Sequence, residues 1–209
     1  MTTNSKLKLF NKAKSNEKLI LPSSRDRILT CATECFFQHG YIAANISMIA
    51  RYSEISRVTI HKQFRTKEAL FRAVVEKYIA DNNVLLQDYS QSTGDFWAET
   101  ESFILKRCDG LFEEVSSSLI RTDLLHAGQS HCNDIISENE IKVREIISLR
   151  ISKELAQSRM TLDKIDITIE EFSRVIESAP FGLALSSMEE DNQAFVKHLM
   201  KVFKASTAV

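Results

Sequence analysis

Five glycines and two prolines among 209 residues leave little material for turns. A β-sandwich needs frequent turn signals between its strands, and a phosphate-cradling loop needs clustered glycine, so neither is expected. No apolar run approaches bilayer-spanning length and no secretory h-region follows the N-terminus, so a reduced, cytoplasmic protein without a membrane partner is expected. The four cysteines (Cys31, Cys35, Cys108 and Cys132) fall in neither a disulfide nor a zinc-site spacing. A nucleophile elbow and a His-Glu-x-x-His pair are also missing, so no catalytic residue, metal or cofactor is expected.

With 44% hydrophobic and 26% charged residues the chain has the composition of a globular protein, and the scarcity of breakers points to an all-helical one. The net charge of −1 conceals a dipole. Residues 1–80 hold 14 Lys and Arg against six Asp and Glu, a surplus of eight; the remainder hold 13 against 22, a deficit of nine. The basic N-terminal part suits a polyanion, and the acidic remainder is repelled by one.

Along the chain, residues 1–22 carry five lysines against one glutamate and read as a basic flexible arm, with reach towards adjacent DNA as the sharper interpretation. Ser23, with Asp26 three residues on, opens a first helix whose apolar positions Ile28, Leu29, Ala32, Cys35 and Phe36 end near His39 and Gly40. Asn45 caps a short second helix, a turn follows over 52–56, and a third short helix runs from Arg57 to about Phe64. Thr66 caps a fourth helix, reaching towards Leu86. A fifth follows the break at 92–95. A short sixth element (119–126) stops near Gly128, and a long helix covers about 133–159. Thr168 and Glu171 form a capping box for a helix that Pro180 should kink, and a last helix covers about 190–204. The expected division is an arm (1–22), a domain of short helices (23–68) and a larger helical domain (69–209).

Two short helices joined by a tight turn, the second showing Arg57, Thr59, His61, Lys62 and Gln63 outward and tucking in Ile60 and Phe64, match a helix-turn-helix. One such helix fits the major groove, about 12 Å wide. There Arg57 and Gln63 can bond guanine or adenine edges, Val58 can touch a thymine methyl, and Thr59, His61 and Lys62 can serve phosphate or base. Taken alone, this face is also compatible with a solvated packing helix. Residues 25–71 as a whole resemble the DNA-binding domain of the TetR (tetracycline repressor-like) family. The resemblance lies in Arg27-Ile28-Leu29, Ala32, Phe36, Gly40-Tyr41, Ile49-Ala50, Ile55-Ser56, Thr59-Ile60, Phe64 and Thr66-Lys67-Glu68-Ala69-Leu70-Phe71. It implies that Arg57 and Val58 read bases, with Lys62 placed beside them although it could serve either role. It also implies that Ser47, Thr59, His61, Gln63 and Lys67 hold phosphate. Three departures stand out. Glu54 occupies a turn position where the family usually has Gly, His61 replaces the usual Tyr, and Gln63 the usual His.

The resemblance further implies a homodimer built on the last two helices, through Phe172, Val175, Ile176, Ala179, Leu183, Phe195, Leu199 and Val202. It implies a largely apolar pocket for a small-molecule effector between helices four to seven of this reading, with Phe96, Trp97, Phe103, Cys108, Phe112, Leu125 and Ile147 as lining candidates. The expected function is a ligand-released repressor of a palindromic operator. The alternative is a helix-turn-helix activator or interaction module without an effector. His126, His131 and Cys132 satisfy no standard metal spacing, and Cys31 and Cys35, four apart on one face, are expected to act as small core residues rather than a redox pair.

Overall fold

Ser23 Oγ accepts the Asp26 N–H at 3.1 Å, and the Asp26 carboxylate accepts the Ser23 N–H at 3.2 Å, so the first helix opens on the expected capping box. A computed structural model describes residues 23–110, 114–184 and 192–209, the side chains of 183 and 184 excepted. The N-terminal arm therefore lies outside the described residues. Among those described there are eight helices and no strand: α1 (Ser24–Ala43), α2 (Ile46–Ser53), α3 (Arg57–Gln63), α4 (Lys67–Gln91), α5 (Phe96–Asp109), α6 (Ser118–Ala156), α7 (Ile169–Ala184) and α8 (Asn192–Ser206). The all-α class is as expected.

Local chemistry explains most of the helix starts. Asn45 Oδ1 accepts the Met48 N–H at 3.1 Å and Thr66 Oγ1 the Ala69 N–H at 3.1 Å. Glu171 and Thr168 exchange bonds of 2.8 and 3.2 Å ahead of α7. Each satisfies donors that a helix N-terminus leaves open. Pro180 lies inside α7, where it supplies no N–H to the helix.

One expectation fails. The short element over 119–126 and the helix over 133–159 are one continuous helix, α6, of 39 residues. Gly128 does not stop it. Glycine terminates a helix by adopting positive φ, and Gly40 is the only described glycine that does so. Buried positions recur at helical spacing straight through the polar stretch: Leu124, Ala127, Gly128, Cys132, Asn139, Val143, Ile147 and Ile151. Packing of that face outweighs the roughly 1 kcal/mol that an interior glycine costs.

At 1.5 Å per residue α6 is about 58 Å long, enough to serve two cores. The first core gathers Ile28, Phe36, Ile49, Ile60, Leu70 and Phe71 from α1–α4 around Leu124, Ala127 and Cys132 of α6. The second gathers Phe96, Trp97, Phe103, Ile104, Phe172, Ile176, Val196 and Met200 around Val143, Ile147 and Ile151. Polar staples cross the second core. Arg107, 5% exposed, donates to Glu177, 2% exposed, at 3.1 Å. Arg150 donates to the Tyr89 carbonyl at 2.8 Å, to Glu99 at 2.5 Å and to Ser92, pinning the α4–α5 turn to α6.

Candidate nucleic-acid interface

The turn between α2 and α3 is built around a strained residue. Glu54 ends α2 in the left-handed conformation, φ 55° and ψ 27°, which an L side chain adopts at a cost of roughly 1–2 kcal/mol. Arg27 of α1 donates to the last carbonyl of α2, Ser53 O, at 2.8 Å. Ser56 then caps α3: its Oγ accepts the Thr59 N–H at 3.1 Å and lies 2.9 Å from Thr59 Oγ1.

From that start α3 buries Ile60 and, just past its end, Phe64. Arg57, Val58, His61 and Lys62 are exposed, Val58 at 66%. An apolar side chain held that far into solvent beside two cations is what a thymine methyl and neighbouring base edges would meet. Thr59, and Ser47 on α2, are half-buried at the margin of this face.

Two of the expected phosphate ligands are otherwise engaged. The Gln63 amide donates to Ser24 Oγ at 3.0 Å, and its Oε1 is buried without a hydrogen-bond partner. The Lys67 ammonium donates to the carbonyls of Tyr41 and Ala44 at 2.9 and 3.2 Å and sits 4.3 Å over the Tyr41 ring. It neutralises carbonyls at the end of α1. Sequence reasoning missed Ser24 and Arg27 as neighbours of the turn and of α3, because the contacts join positions 39 and 26 residues apart.

The effector candidates divide. Phe96 and Trp97 border a cleft of about 520 Å³ that Asp95, Glu154, Arg159 and Lys204 also line. Phe103, Cys108 and Ile147 are buried in the second core, Phe103 stacked on Tyr89 with ring centroids 4.6 Å apart. Leu125 is half-buried on α6, and Phe112 lies outside the described residues. Among the dimer candidates, Val175, Phe195 and Val202 are exposed, whereas Phe172 and Ile176 are core within the subunit. Ala179 and Leu199 are half-buried, and the side chain of Leu183 lies outside the described residues. His126 is exposed, His131 packs on the Tyr41 ring at 4.9 Å and Cys132 is buried. Burial raises the thiols of Cys31, Cys35 and Cys132 above their ordinary range and pushes Cys108 up to about 12, which disfavours the reactive thiolate.

Residues 28–74, the segment that forms this helix-turn-helix and its support, match the family model of bacterial regulatory proteins, tetR family. The segment is TetR-like, and the match covers 47 of the 209 residues. The HTH-type transcriptional repressor ComR of Escherichia coli (strain K12) is 38% identical over 55 residues, which cover 26% of this chain and 26% of ComR. The chain thus aligns with about a quarter of that relative's length. TetR-like architecture extends further than the sequence match. A TetR-family transcriptional regulator from Agrobacterium tumefaciens superposes with a TM-score of 0.69 at 16% identity, over 89% of this chain and 98% of that one. SmeT, the repressor of the Stenotrophomonas maltophilia multidrug efflux pump SmeDEF, gives 0.66 at 14% identity, over 90% and 91%. Salmonella enterica GusR gives 0.61 at 18% identity, over 91% and 98%. At these identities the likeness is one of fold. No helix among the described residues is long and apolar enough to cross a membrane.

Proposed function

We propose that this chain is a homodimeric repressor of the TetR type that binds a palindromic operator through α3 in the cytoplasm and is released by a small, largely apolar effector. The observation that carries the reading is the exposed face of α3, where Arg57, Val58 and Lys62 stand clear on a helix anchored by Ile60 and Phe64. Arg57 and Val58 read bases, Lys62 supports them, and Ser47, Thr59 and His61 hold phosphate. Gln63 joins them only by leaving Ser24, and Lys67 braces α1 instead of meeting DNA.

A twofold partner supplies the second α3, about 34–36 Å away for half-sites one helical turn apart. Val175 on α7 with Phe195 and Val202 on α8 supports α7 and α8 as the interface, because three exposed large apolar side chains on two adjoining helices favour burial against a copy. The effector enters the second core, whose walls are aromatic and aliphatic with one buried ion pair, Arg107–Glu177. It releases DNA by binding more tightly to the conformation in which the two α3 helices are wrongly spaced.

Selection of bound duplexes from a random pool, with sedimentation of the resulting complex, tests the reading. An enriched palindrome bound by two chains is expected. Enrichment of an asymmetric site bound by one chain, or no enrichment, overturns it.

A further inference from the structure

The recognition element is reached through a hinge, and that hinge is gripped by the effector-side helix α6. At Gly40 the chain leaves the α1 axis with φ 78° and ψ 172°. It then passes Tyr41 and Ile42 on its way to Asn45, the cap of α2. The Ile42 N–H donates to Asp123 Oδ2 of α6 at 3.0 Å. A Cβ at position 40 would clash with the same oxygen, so the carboxylate approaches this closely only because residue 40 is glycine. Just ahead of α6, the Ser116 N–H donates to the Phe37 carbonyl at 3.2 Å and its hydroxyl to the Gln38 carbonyl at 3.1 Å. Three hydrogen bonds between positions some eighty residues apart therefore hold the end of α1 from one side. Lys67 holds the Tyr41 and Ala44 carbonyls from the other.

We propose that Asp123 is a positioning residue for DNA recognition: its carboxylate on the Ile42 N–H, with Ser116 alongside, sets the direction in which α2 and α3 leave α1. The inference rests on the reading of this chain as a DNA-binding regulator. It adds a route by which the second core reaches α3. Val143, Ile147 and Ile151 lie on the same helix as Asp123, so displacement of α6 among them is felt at the hinge without passing through α4. Asp123 touches no DNA in this account. Its effect is on the orientation of the helix that does.

The experiment uses the full chain, the operator found by selection, and three variants. Asp123→Ala removes the acceptor, Asp123→Asn keeps an acceptor oxygen, and Ser116→Ala removes only the hydroxyl donor. Loss of one hydrogen bond to a charged group predicts operator affinity about tenfold weaker for D123A, and about threefold weaker for S116A. The expected salt slope is unchanged in both, because no phosphate contact is lost. D123N is expected to recover most of the affinity. Amide exchange at Ile42, read without DNA, should be faster in D123A and near wild type in D123N. If D123A folds poorly, S116A and D123N carry the comparison. Wild-type affinity in D123A, or losses that follow thermal stability and are not rescued by D123N, overturn the positioning role while leaving the DNA-binding reading intact. Failure of the wild-type chain to bind any duplex removes both.

Discussion

The Lys67 ammonium lies 4.3 Å over the Tyr41 ring and 2.9 Å from the carbonyl oxygen of the same residue. One α4 side chain thus covers the aromatic ring beyond Gly40 and compensates the carbonyls exposed where α1 ends. This geometry favours a brace over a phosphate ligand. Replacing Lys67 by Met keeps the apolar stem and removes the charge, and it should lower stability by about 1.5–3 kcal/mol in urea unfolding. Operator binding should weaken with the salt slope unchanged. A slope reduced by about one would place the ammonium on a phosphate instead.

Glu54 holds φ 55° at the turn into α3. Glu54→Gly relieves that conformation and should stabilise the fold by about 0.5–1 kcal/mol, less than the full strain because glycine also loosens the unfolded chain. If α3 meets DNA as proposed, removing the carboxylate beside its exposed face should also tighten binding, most clearly at low salt. Thermal unfolding and anisotropy titration check the two effects separately. A destabilised variant would contradict the strain argument.

How much of this was legible in the sequence depends on the range over which each residue acts. Ser23–Asp26, Asn45, Thr66 and Thr168–Glu171 act on backbone groups three residues away, so the helix starts could be read directly, as could the inward spacing of Ile60 and Phe64. Gly128 misled because glycine and a polar run signal a break only where no tertiary face is buried. Cys132, fully buried in that run, continues the packed face of the helix across it. The engagement of Lys67 by Tyr41 and Ala44, and of Ile42 by Asp123, could not be foreseen, since no local pattern encodes which distant carbonyl or N–H a side chain will meet. The chemical type of α3's exposed face was visible, whereas the tie of Gln63 to Ser24 was not.

Arg107 and Glu177 form a pair shut away from solvent between α5 and α7. Arg107→Met leaves the Glu177 carboxylate buried without its nearest cation and should cost about 3–5 kcal/mol. Pairing it with Glu177→Leu should recover much of that loss, because two apolar side chains avoid the desolvation of both charges. Chemical denaturation of the two single variants and the double variant gives the coupling. Strictly additive losses would contradict the pair.

Arg72 donates to both oxygens of Asp134 at 2.8 and 2.7 Å and holds that carboxyl down at about 2. A carboxyl whose pKa is depressed by folding stabilises the fold above its ordinary value, near 4, and ceases to do so as pH falls through the folded value. The difference in urea midpoint between wild type and Asp134→Asn should therefore be constant above about pH 4 and shrink towards about pH 2. A difference that persists unchanged at the acid end would contradict the bidentate contact. The pair is solvent-facing, so the effect should be small and reduced by salt.

The central claim is that the exposed face of α3 recognises duplex DNA, and fluorescence anisotropy of the selected operator over a series of salt concentrations tests it most directly. The logarithm of affinity should fall linearly with the logarithm of salt at about −0.9 per phosphate contacted. Arg57→Ala should lose about 1–3 kcal/mol of discrimination between the operator and a scrambled duplex. Binding that is absent at low salt, or that discriminates equally well without Arg57, would contradict it.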